Sequence, residues 1–234
     1  INVLMKKAPL ADLEIVSLVH PKHYIDKIFF KIPKQGLIGV EKEPYADTYL
    51  CPNSKKAILR ACGAGIAASD DIISEKRKRA FCAIRPPGHH AETVRANGFC
   101  FFNNIAVAAR YLQNKHLIRK IAIIDFDVHH GNGTQEIFYN DKNIFYGSIH
   151  ESPLFPGTGL EEEKNSINIF NIPIKAGTNA KIFMELFKKR ILFPMNEFKP
   201  EVILISAGFD AHERDPLANI NLKSENYYEI TKKI

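Results

Sequence analysis

Residues 121–133 of the chain read IAIIDFDVHHGNG, and this stretch decides the fold that the sequence predicts. It begins with four apolar residues, 121–124, the pattern of a strand buried on both faces in the middle of a parallel sheet. Asp125 and Asp127 follow two residues apart, so their side chains point to the same side for as long as the strand lasts. Open α/β sheets place their ligand sites at this end of a parallel strand.

The polar side chains at the end of this predicted strand suit a metal ion. His129 follows Asp127 by two residues, where the chain leaves the sheet. Carboxylate oxygens and imidazole nitrogens are both ligands of Zn²⁺. Two carboxylates directly after a buried run also need a counter-charge. The alternative is a cluster of polar residues in an edge loop that is ionic only by accident.

Strands and helices alternate along the chain. This alternation predicts an α/β fold with a mostly parallel central sheet and helices on both faces, in three αβα layers. Residues 31–53, rich in Lys, Pro and Gly, predict a loop. Besides the central strand, apolar runs predict strands at 80–84, 143–149, 167–174 and 201–206, of which 80–84 and 201–206 are expected to be buried; helices are predicted at 9–19, from Ser54 for about 20 residues, and at 102–112, 134–139, 179–194 and from Ser224 onwards.

The composition indicates one globular domain and excludes several classes of protein. The 234 residues, 45% of them hydrophobic, suffice for one domain with a sizeable core. The net charge is +6, and the densest basic run, KRKR at 76–79, has no interleaved aromatic residues, so direct nucleic-acid binding is not predicted. No apolar run approaches the ~20 residues of a membrane span. The four cysteines form no C-x-x-C pair, which is typical of a protein of the reducing cytoplasm.

Two more polar clusters follow predicted strands. His89 and His90 lie in a loop rich in Pro and Gly, and adjacent imidazoles there can hold one neutral base and one charged group. Asp210 comes four residues after the strand 201–206. Taken singly, the histidine pair is also typical of a surface loop, and Asp210 of a helix cap or turn.

Taken together, the polar residues that follow the predicted strands indicate one metal site. Sequential strands of a parallel sheet often end side by side, so Asp127, His129 and Asp210 are expected to converge on one ion. Three protein ligands with one open position is the arrangement of a catalytic zinc site, whereas a structural site is closed by four ligands, usually including cysteine.

Five motifs in the sequence resemble those of the zinc-dependent histone deacetylase superfamily, which includes the bacterial acetylpolyamine amidohydrolases. The resemblance covers the chain from about Pro9 to its end, and the motif forms are more similar to class II and bacterial members than to class I enzymes. It implies an arginase/deacetylase-like fold. The motifs are RPPGHHA (85–91), GFCFFNN (98–104), DFDVHHGNGTQ (125–135), PGTG (156–159) and SAGFDAHERDPL (206–217).

The resemblance implies roles for individual residues. His90 corresponds to the general base and acid, and His89 to its electrostatic partner. Asp125 and Asn132 correspond to the groups that hydrogen-bond the two histidines and set their tautomers. One zinc ion would be held by Asp127, His129 and Asp210.

The resemblance also implies a narrow channel for an acyl-lysine-like chain. Phe99 and Phe155 correspond to the aromatic pair that lines it, with Gly98 beside the first. A linear methylene chain needs a flat apolar slot, and two phenylalanines in loops beside the site would form one. The alternative is that either phenylalanine belongs to the core.

Two potassium sites are implied as well. The inner site corresponds to the main-chain carbonyls of Asp125, Asp127, His129 and Ile149 with the hydroxyl of Ser148. The outer site corresponds to Phe138, Asp141 and Ile144.

Relative to that superfamily, the chain is expected to be truncated at both ends. The superfamily has a catalytic tyrosine in a Gly-Gly-Tyr-type motif beyond the SAGFDAH loop, and Tyr227 and Tyr228 do not match it. The start lacks the segment rich in His, Pro, Glu and Arg that usually opens the domain. We therefore expect residues 1–234 to be a single deacetylase-like catalytic domain without its start and without its tyrosine-bearing segment.

The function expected from the resemblance is zinc-dependent hydrolysis of the amide of an acetylated amine. The substrate is an acetyl-lysine peptide or a small acetylated polyamine, between which the sequence does not decide, and it does not indicate an oligomeric state. Two alternatives stay open. One is a catalytically silent, truncated remnant that binds metal, and the other is an arginase-like hydrolase with two manganese ions.

Overall fold

The structure is a computed structural model that describes residues 3–41, 46–163 and 167–234. The chain consists of two compact units, Ile1–Leu117 and Ile118–Ile234. The predicted loop 31–53 includes residues 42–45, which lie outside the described residues. The prediction of a single catalytic domain stays a prediction.

The first unit is mostly helical. Its two long helices pack closely where Gly65 faces Ala108, because a Cβ on Gly65 would lie 3.1 Å from that of Ala108. Tyr111 and His116 tie the same pair of helices by hydrogen bonds to the Asp70 carboxylate, at 2.9 and 2.7 Å. The elements are α1 (Leu13–Val16), α2 (Lys22–Phe30), α3 (Ser54–Ile73) and α4 (Asn104–His116), with a short antiparallel ladder of β1 (Ile38–Gly39) and β2 (Tyr49–Leu50).

Three sequence predictions for the first unit are corrected. Residues 80–84 form no strand and are not buried, since Phe81 is 74% exposed. An apolar run becomes a strand only where a neighbour pairs with its backbone, and no described segment pairs with this one. The predicted helix 9–19 is reduced to α1, and the predicted loop 31–53 contains the β1–β2 ladder.

His20 is a fully buried, neutral imidazole in this unit. Its Nδ1 lies 3.0 Å from the carbonyl oxygen of Thr93, which only accepts, so Nδ1 carries the proton. Its Nε2 accepts from the backbone N–H of Asn103 at 2.8 Å. Burial lowers the pKa of His20 to about 4, although the bond to Thr93 acts in the opposite direction.

This burial makes the stability of the protein depend on pH. Between about pH 6.5 and pH 4 the unfolded chain protonates His20 and the folded chain does not, so the free energy of unfolding falls as the pH falls through this range. The contribution lost is about 3 kcal/mol at most. Urea unfolding from pH 7 to pH 4 measures it, and His20→Gln is expected to have a flatter profile. The exposed His23→Gln is the control, and equal slopes for His20→Gln and the wild type would contradict the assignment.

The second unit is built on a parallel sheet of four strands. The strand order is β5-β4-β3-β6, so the central stretch of the sequence forms an interior strand. The strands are β3 (Ile121–Asp125), β4 (Ile144–Glu151), β5 (Ile169–Ile174) and β6 (Val202–Ser206), and the helices are α5 (Asn132–Phe138), α6 (Ala180–Phe187), α7 (Phe193–Phe198) and α8 (Ser224–Lys233).

The register of β3 places the ends of its neighbours beside its own end. Asp125, the last residue of β3, lies opposite Ser148 of β4 on one side and Ser206 of β6 on the other. Every residue of β3 is buried, as its apolar run predicts. The loops that follow β3 and β6 therefore leave the sheet at the same edge.

A hydrophobic core joins this sheet to the helices of the unit. The helical segment after β5 is interrupted by a π-helical turn, Lys188–Leu192, directly before Pro194. Proline has no N–H to donate to the preceding turn, and the wider turn accommodates it, so the helix predicted to end at 194 continues to Phe198. The buried aromatic side chains of this core are Phe126, Phe145, Phe183, Phe187 and Tyr227.

The strand β6 is half-buried, which corrects the prediction of a buried strand. It pairs with β3 on one side, and among the described residues no segment pairs with its other side. Its start is held by Glu201, whose carboxylate accepts from the backbone N–H groups of Arg119 and Lys120 at 2.8 and 2.9 Å. The sequence of β6 is as apolar as that of the interior strand β3, so the apolar pattern alone did not show that β6 is less buried.

Candidate metal centre

Three side chains from the loops after β3 and β6 form a compact cluster. Asp127, His129 and Asp210 each offer one ligand atom, and these atoms lie within 4.8 Å of one another. The Nδ1 atom of His129 is 3.0 Å from Oδ1 of Asp127 and 2.9 Å from Oδ2 of Asp210. About a fifth of each side chain is exposed to solvent. The structure thus brings together the three residues that the sequence predicts to share one ion.

Backbone hydrogen bonds hold the loop after β3 in place. The N–H of Asp127 donates to Oδ1 of Asp125 at 3.2 Å, and the N–H of His129 donates to Oδ1 of Asp127 at 2.9 Å. The N–H of Val128 donates to Oδ1 of Asp210 at 2.9 Å, which ties this loop to the one after β6. Each aspartate therefore uses one oxygen to order the backbone.

Gly208 permits the close approach of the two loops. A Cβ on this residue would lie 2.2 Å from Oδ2 of Asp127 and 2.6 Å from its Cα, closer than a Cβ approaches atoms to which it is not bonded. Any side chain at position 208 would push Asp127 away from Asp210. The glycine of the SAGFD motif is thus required by packing against the cluster.

The electrostatics of the cluster favour a bound positive charge. Burial alone would lower the pKa of His129, but the hydrogen bonds and charges of Asp127 and Asp210 outweigh it and raise the pKa to about 10. Burial raises the pKa of Asp210, with a further contribution from the charge of Asp127 and an opposing one from the bond to His129. Two half-buried carboxylates and one imidazole without sulfur are a donor set that fits a divalent ion such as Zn²⁺.

Asp125 lies beneath this cluster and is fully buried. Its Oδ2 accepts a hydrogen bond of 3.2 Å from the hydroxyl of Tyr146, which lies 3.2 Å from the carbonyl oxygen of Gly131 as well. Burial raises the pKa of Tyr146 well above its ordinary value, and the negative charge of Asp125 raises it further. The sequence analysis missed Tyr146, because it lies among the buried residues of β4 and no motif singles it out. Asn132 is buried as the first residue of α5.

The tandem histidines lie in the first unit and are both buried. The ring centroids of His89 and His90 are 4.0 Å apart at an interplanar angle of 46°. Their loop is pressed against the start of α4, because a Cβ on Gly88 would lie 2.5 Å from the backbone nitrogen of Asn104. The two prolines before Gly88 and the contact of Gly88 with Asn104 together restrict the backbone that carries the two imidazoles.

Phe99 projects from a tight turn of the first unit and is 62% exposed. Both Gly98 and Phe99 have positive φ angles, 52° and 66°, which is uncommon for a phenylalanine. The N–H of Gly98 donates to Oδ2 of Asp47, and the N–H of Phe99 donates to Oγ1 of Thr48, each at 3.0 Å. Asp47 and Thr48 thus brace the turn, a role that the sequence analysis missed because 51 residues separate the partners.

Phe155 lies in the second unit next to the metal cluster. It is 43% exposed, and its ring meets that of His129 edge-on at a centroid distance of 6.3 Å. The structure therefore places one predicted channel residue against a predicted metal ligand, with its remaining surface available to solvent.

The PGTG loop that carries Phe155 is anchored by two buried histidines. Nδ1 of His130 is 2.8 Å from Oγ1 of Thr158, and Nε2 of His150 is 3.0 Å from the carbonyl oxygen of Gly159. The centroids of the two imidazoles are 4.8 Å apart. His130 directly follows His129, so one short segment holds both a candidate metal ligand and the loop beside it.

Gly159 is packed directly on these imidazoles. A Cβ on it would lie 2.5 Å from Cγ of His130 and 2.6 Å from Nε2 of His150, and its φ is +83°. Gly157 in the same loop has a φ of +82°, but its Cβ would meet nothing within 4 Å. Both glycines have a positive φ, which disfavours any other residue, but only Gly159 lacks space for a side chain.

This difference gives a matched test of the loop. Gly157→Ala is expected to lower the free energy of unfolding by about 1–2 kcal/mol, the cost of a left-handed backbone. Gly159→Ala is expected to lose about 1–3 kcal/mol more, because the methyl group overpacks the two rings. Urea unfolding of both variants measures this, and equal losses would show that the imidazoles do not confine the loop.

The residues of the predicted potassium sites lie around β4. Ser148 and Ile149 are buried in this strand, and Phe138, Asp141 and Ile144 lie at the end of α5, in the turn and at the start of β4. The N–H of Asp141 donates to the carbonyl of Phe138 at 3.0 Å, and the N–H of Ile144 to that of Asp141 at 2.9 Å. The assignment of these residues to potassium stays a prediction.

Within the described part of the chain, no helix has the length and apolar character needed to cross a membrane.

Comparison with known proteins identifies the family of the chain. The profile of the family described as the histone deacetylase domain matches residues 2–234. The chain is 39% identical over 236 residues to histone deacetylase 14, chloroplastic, of Arabidopsis thaliana, with 96% of this chain and 55% of that protein covered. It is 34% identical over 235 residues to the histone deacetylase-like amidohydrolase of Pseudomonas aeruginosa, with 97% and 60% covered.

A solved structure resembles the fold of the chain. The crystal structure of the HDA15 HD domain matches with a TM-score of 0.90 and 33% identity, covering 97% of this chain and 67% of that one. The chain spans about half the length of the first curated relatives that it matches, 55% and 53%. The predicted superfamily and α/β fold are confirmed, and the chain belongs to the histone deacetylase domain family.

Proposed function

We propose that the chain is the zinc-binding part of a deacetylase that hydrolyses the amide of an acetylated amine to acetate and a free amine. The observation that carries the proposal is the cluster of Asp127, His129 and Asp210 at the carboxyl ends of two neighbouring parallel strands. Relatives named deacetylase and amidohydrolase support the reaction type.

The three clustered side chains would hold the ion. When bound, Zn²⁺ supplies Lewis-acid polarisation of the substrate carbonyl and lowers the pKa of a bound water towards about 7. Asp125 orders the loop by accepting the N–H of Asp127, and Tyr146 in turn orients Asp125. Such outer partners fix the direction of the ligand atoms.

The proton transfers are assigned to the tandem histidines on the strength of the family motif RPPGHHA. His90 takes a proton from the attacking water and delivers it to the nitrogen of the leaving amine. His89, next to it, acts through its charge. Both side chains are buried, which limits the solvent that competes for the proton.

The substrate classes are assigned on the strength of the channel residues that the family motifs indicate. Phe99 and Phe155 both expose much of their surface in loops with tightly held backbones. An acetyl-lysine side chain and an acetylated polyamine both present several methylene groups before the amide, and an apolar slot accepts either. We propose these two substrate classes without a preference.

A single divalent ion is favoured over the pair that an arginase-like hydrolase would use. Among the described residues, one group of three or more carboxylate, imidazole or thiol side chains has the spacing of a metal site, and it is the cluster above. A second ion would need additional bridging carboxylates.

We also propose the inner potassium site. The carbonyl of Gly159 only accepts, so Nε2 of His150 carries the proton and Nδ1 accepts from the hydroxyl of Ser148 at 2.9 Å. The hydrogen of the Ser148 hydroxyl then points to His150, and its oxygen is the ligand that the predicted set assigns to the cation.

The metal proposal predicts one zinc ion per chain in the full-length protein. Asp210→Ala is expected to weaken zinc binding at least about tenfold, because losing even an outer partner of a ligand costs that much. Elemental analysis after equilibrium dialysis measures it. Glu213→Ala, in the same loop but exposed, is the control and should keep its zinc. Unchanged zinc in Asp210→Ala would remove this residue from the site.

The hydrolysis proposal predicts acetate release from an acetyl-lysine peptide or an acetylated polyamine. His90→Ala is expected to lower kcat by about 10²–10⁴ while zinc stays bound. His23→Ala, an exposed histidine, should leave kcat unchanged. A near-normal kcat for His90→Ala would disprove its role. A zinc-loaded full-length protein that released no acetate from either substrate would favour the silent metal-binding remnant.

A further inference from the structure

The turn between α5 and β4 carries carbonyl groups that the resemblance assigns to an outer potassium ion. Phe138 is the last residue of α5, and the final carbonyls of a helix have no partner within the helix. Carbonyl oxygens here must therefore bind a cation or accept hydrogen bonds from elsewhere in the protein.

In this chain a side-chain amide reaches these carbonyls. Nδ2 of Asn168 donates to the carbonyl oxygen of Phe138 at 2.7 Å and to that of Asp141 at 3.2 Å. Asn168 is fully buried and lies immediately before β5, 30 residues from Phe138 in sequence. Its backbone carbonyl accepts from the N–H of Tyr146 at 2.8 Å, so the residue is held in register with β4.

The carbonyl oxygens of Phe138 and Asp141 each accept two hydrogen bonds. A carbonyl oxygen has two lone pairs. That of Phe138 accepts from the N–H of Asp141 and from Asn168, and that of Asp141 accepts from the N–H of Ile144 and from Asn168. A potassium ion at these oxygens would have to displace a buried amide whose hydrogens carry the same sign of charge. With Nδ2 of Asn168 directed at them, these two carbonyls do not fit an ion.

We propose that the side-chain amide of Asn168 replaces the outer potassium ion in this protein. One neutral NH₂ group supplies the positive end of two hydrogen bonds to the carbonyls that an ion would otherwise neutralise. The turn between α5 and β4 is then stable without potassium. The inner site differs, because no side-chain amide donates to Ser148 among the hydrogen bonds of the described residues. Together with the inner site proposed above, this leaves one potassium site per chain.

The first test counts monovalent cation sites directly. Crystals of the full-length protein are soaked in Tl⁺, a potassium mimic with strong anomalous scattering. The expected result is no anomalous peak beside the carbonyls of Phe138 and Asp141. A peak at these carbonyls would overturn the proposal, in particular one with the Asn168 amide flipped so that Oδ1 contacts the ion. The count needs neither zinc nor substrate, so it stands apart from the hydrolysis proposal.

The second test removes the amide and asks whether potassium takes its place. Asn168→Ala is expected to have a lowered Tm in tetramethylammonium chloride that KCl at equal ionic strength partly restores, with a Tl⁺ peak at the exposed carbonyls. Asn171→Ala is the matched control, because Asn171 is also a buried asparagine and donates to Gln135 at 2.7 Å. It should lose Tm without specific recovery in KCl.

A third variant covers the case in which Asn168→Ala does not fold. Asn168→Asp keeps the shape of the side chain and removes both donors, so its Tm should rise in KCl more than that of the wild type. Equal KCl responses for wild type, Asn168→Asp and Asn171→Ala would overturn the proposal.

Discussion

The tie between the loops after β3 and β6 is the constraint on which the candidate site depends. The carboxylate of Asp210 accepts the N–H of Val128 with one oxygen and meets the His129 imidazole with the other. The tie is possible because β3 and β6 run parallel and in register, so their ends lie together. Burial of the charges then favours a cation, since two carboxylates so close to each other repel.

Buried polar contacts hold loops at both ends of the parallel strands. His130 and His150 confine the PGTG loop, and Asn168 closes the turn before β4. A buried polar group is costly when it lacks a partner, so such networks admit few alternative arrangements. Two separate sets of buried polar contacts thus hold the PGTG loop at one end of the parallel strands and the turn before β4 at the other.

The sequence predicted those features that depend on local patterns. The buried run before Asp125 identified an interior strand, and strand ends placed Asp127, His129 and Asp210 together. The sequence did not predict features that depend on pairing between distant segments. Residues 80–84 have a strand-like pattern, but no described segment pairs with them. The contacts of Asp47 with Gly98 and of Asn168 with Phe138 join residues 51 and 30 positions apart, and no pattern in one stretch signals them.

The backbone of Phe99 has a consequence for engineering the specificity of the protein. Its φ of 66° is a conformation that β-branched residues avoid and that glycine and asparagine accept. A mutant library at this position would therefore be restricted by the backbone before any substrate is offered. Valine and isoleucine, the usual choices for widening an aromatic slot while keeping it apolar, would first have to rebuild the turn that Thr48 braces. Substitution meets no such backbone restriction at Phe155, the other residue of the proposed channel, because its φ is not in this region.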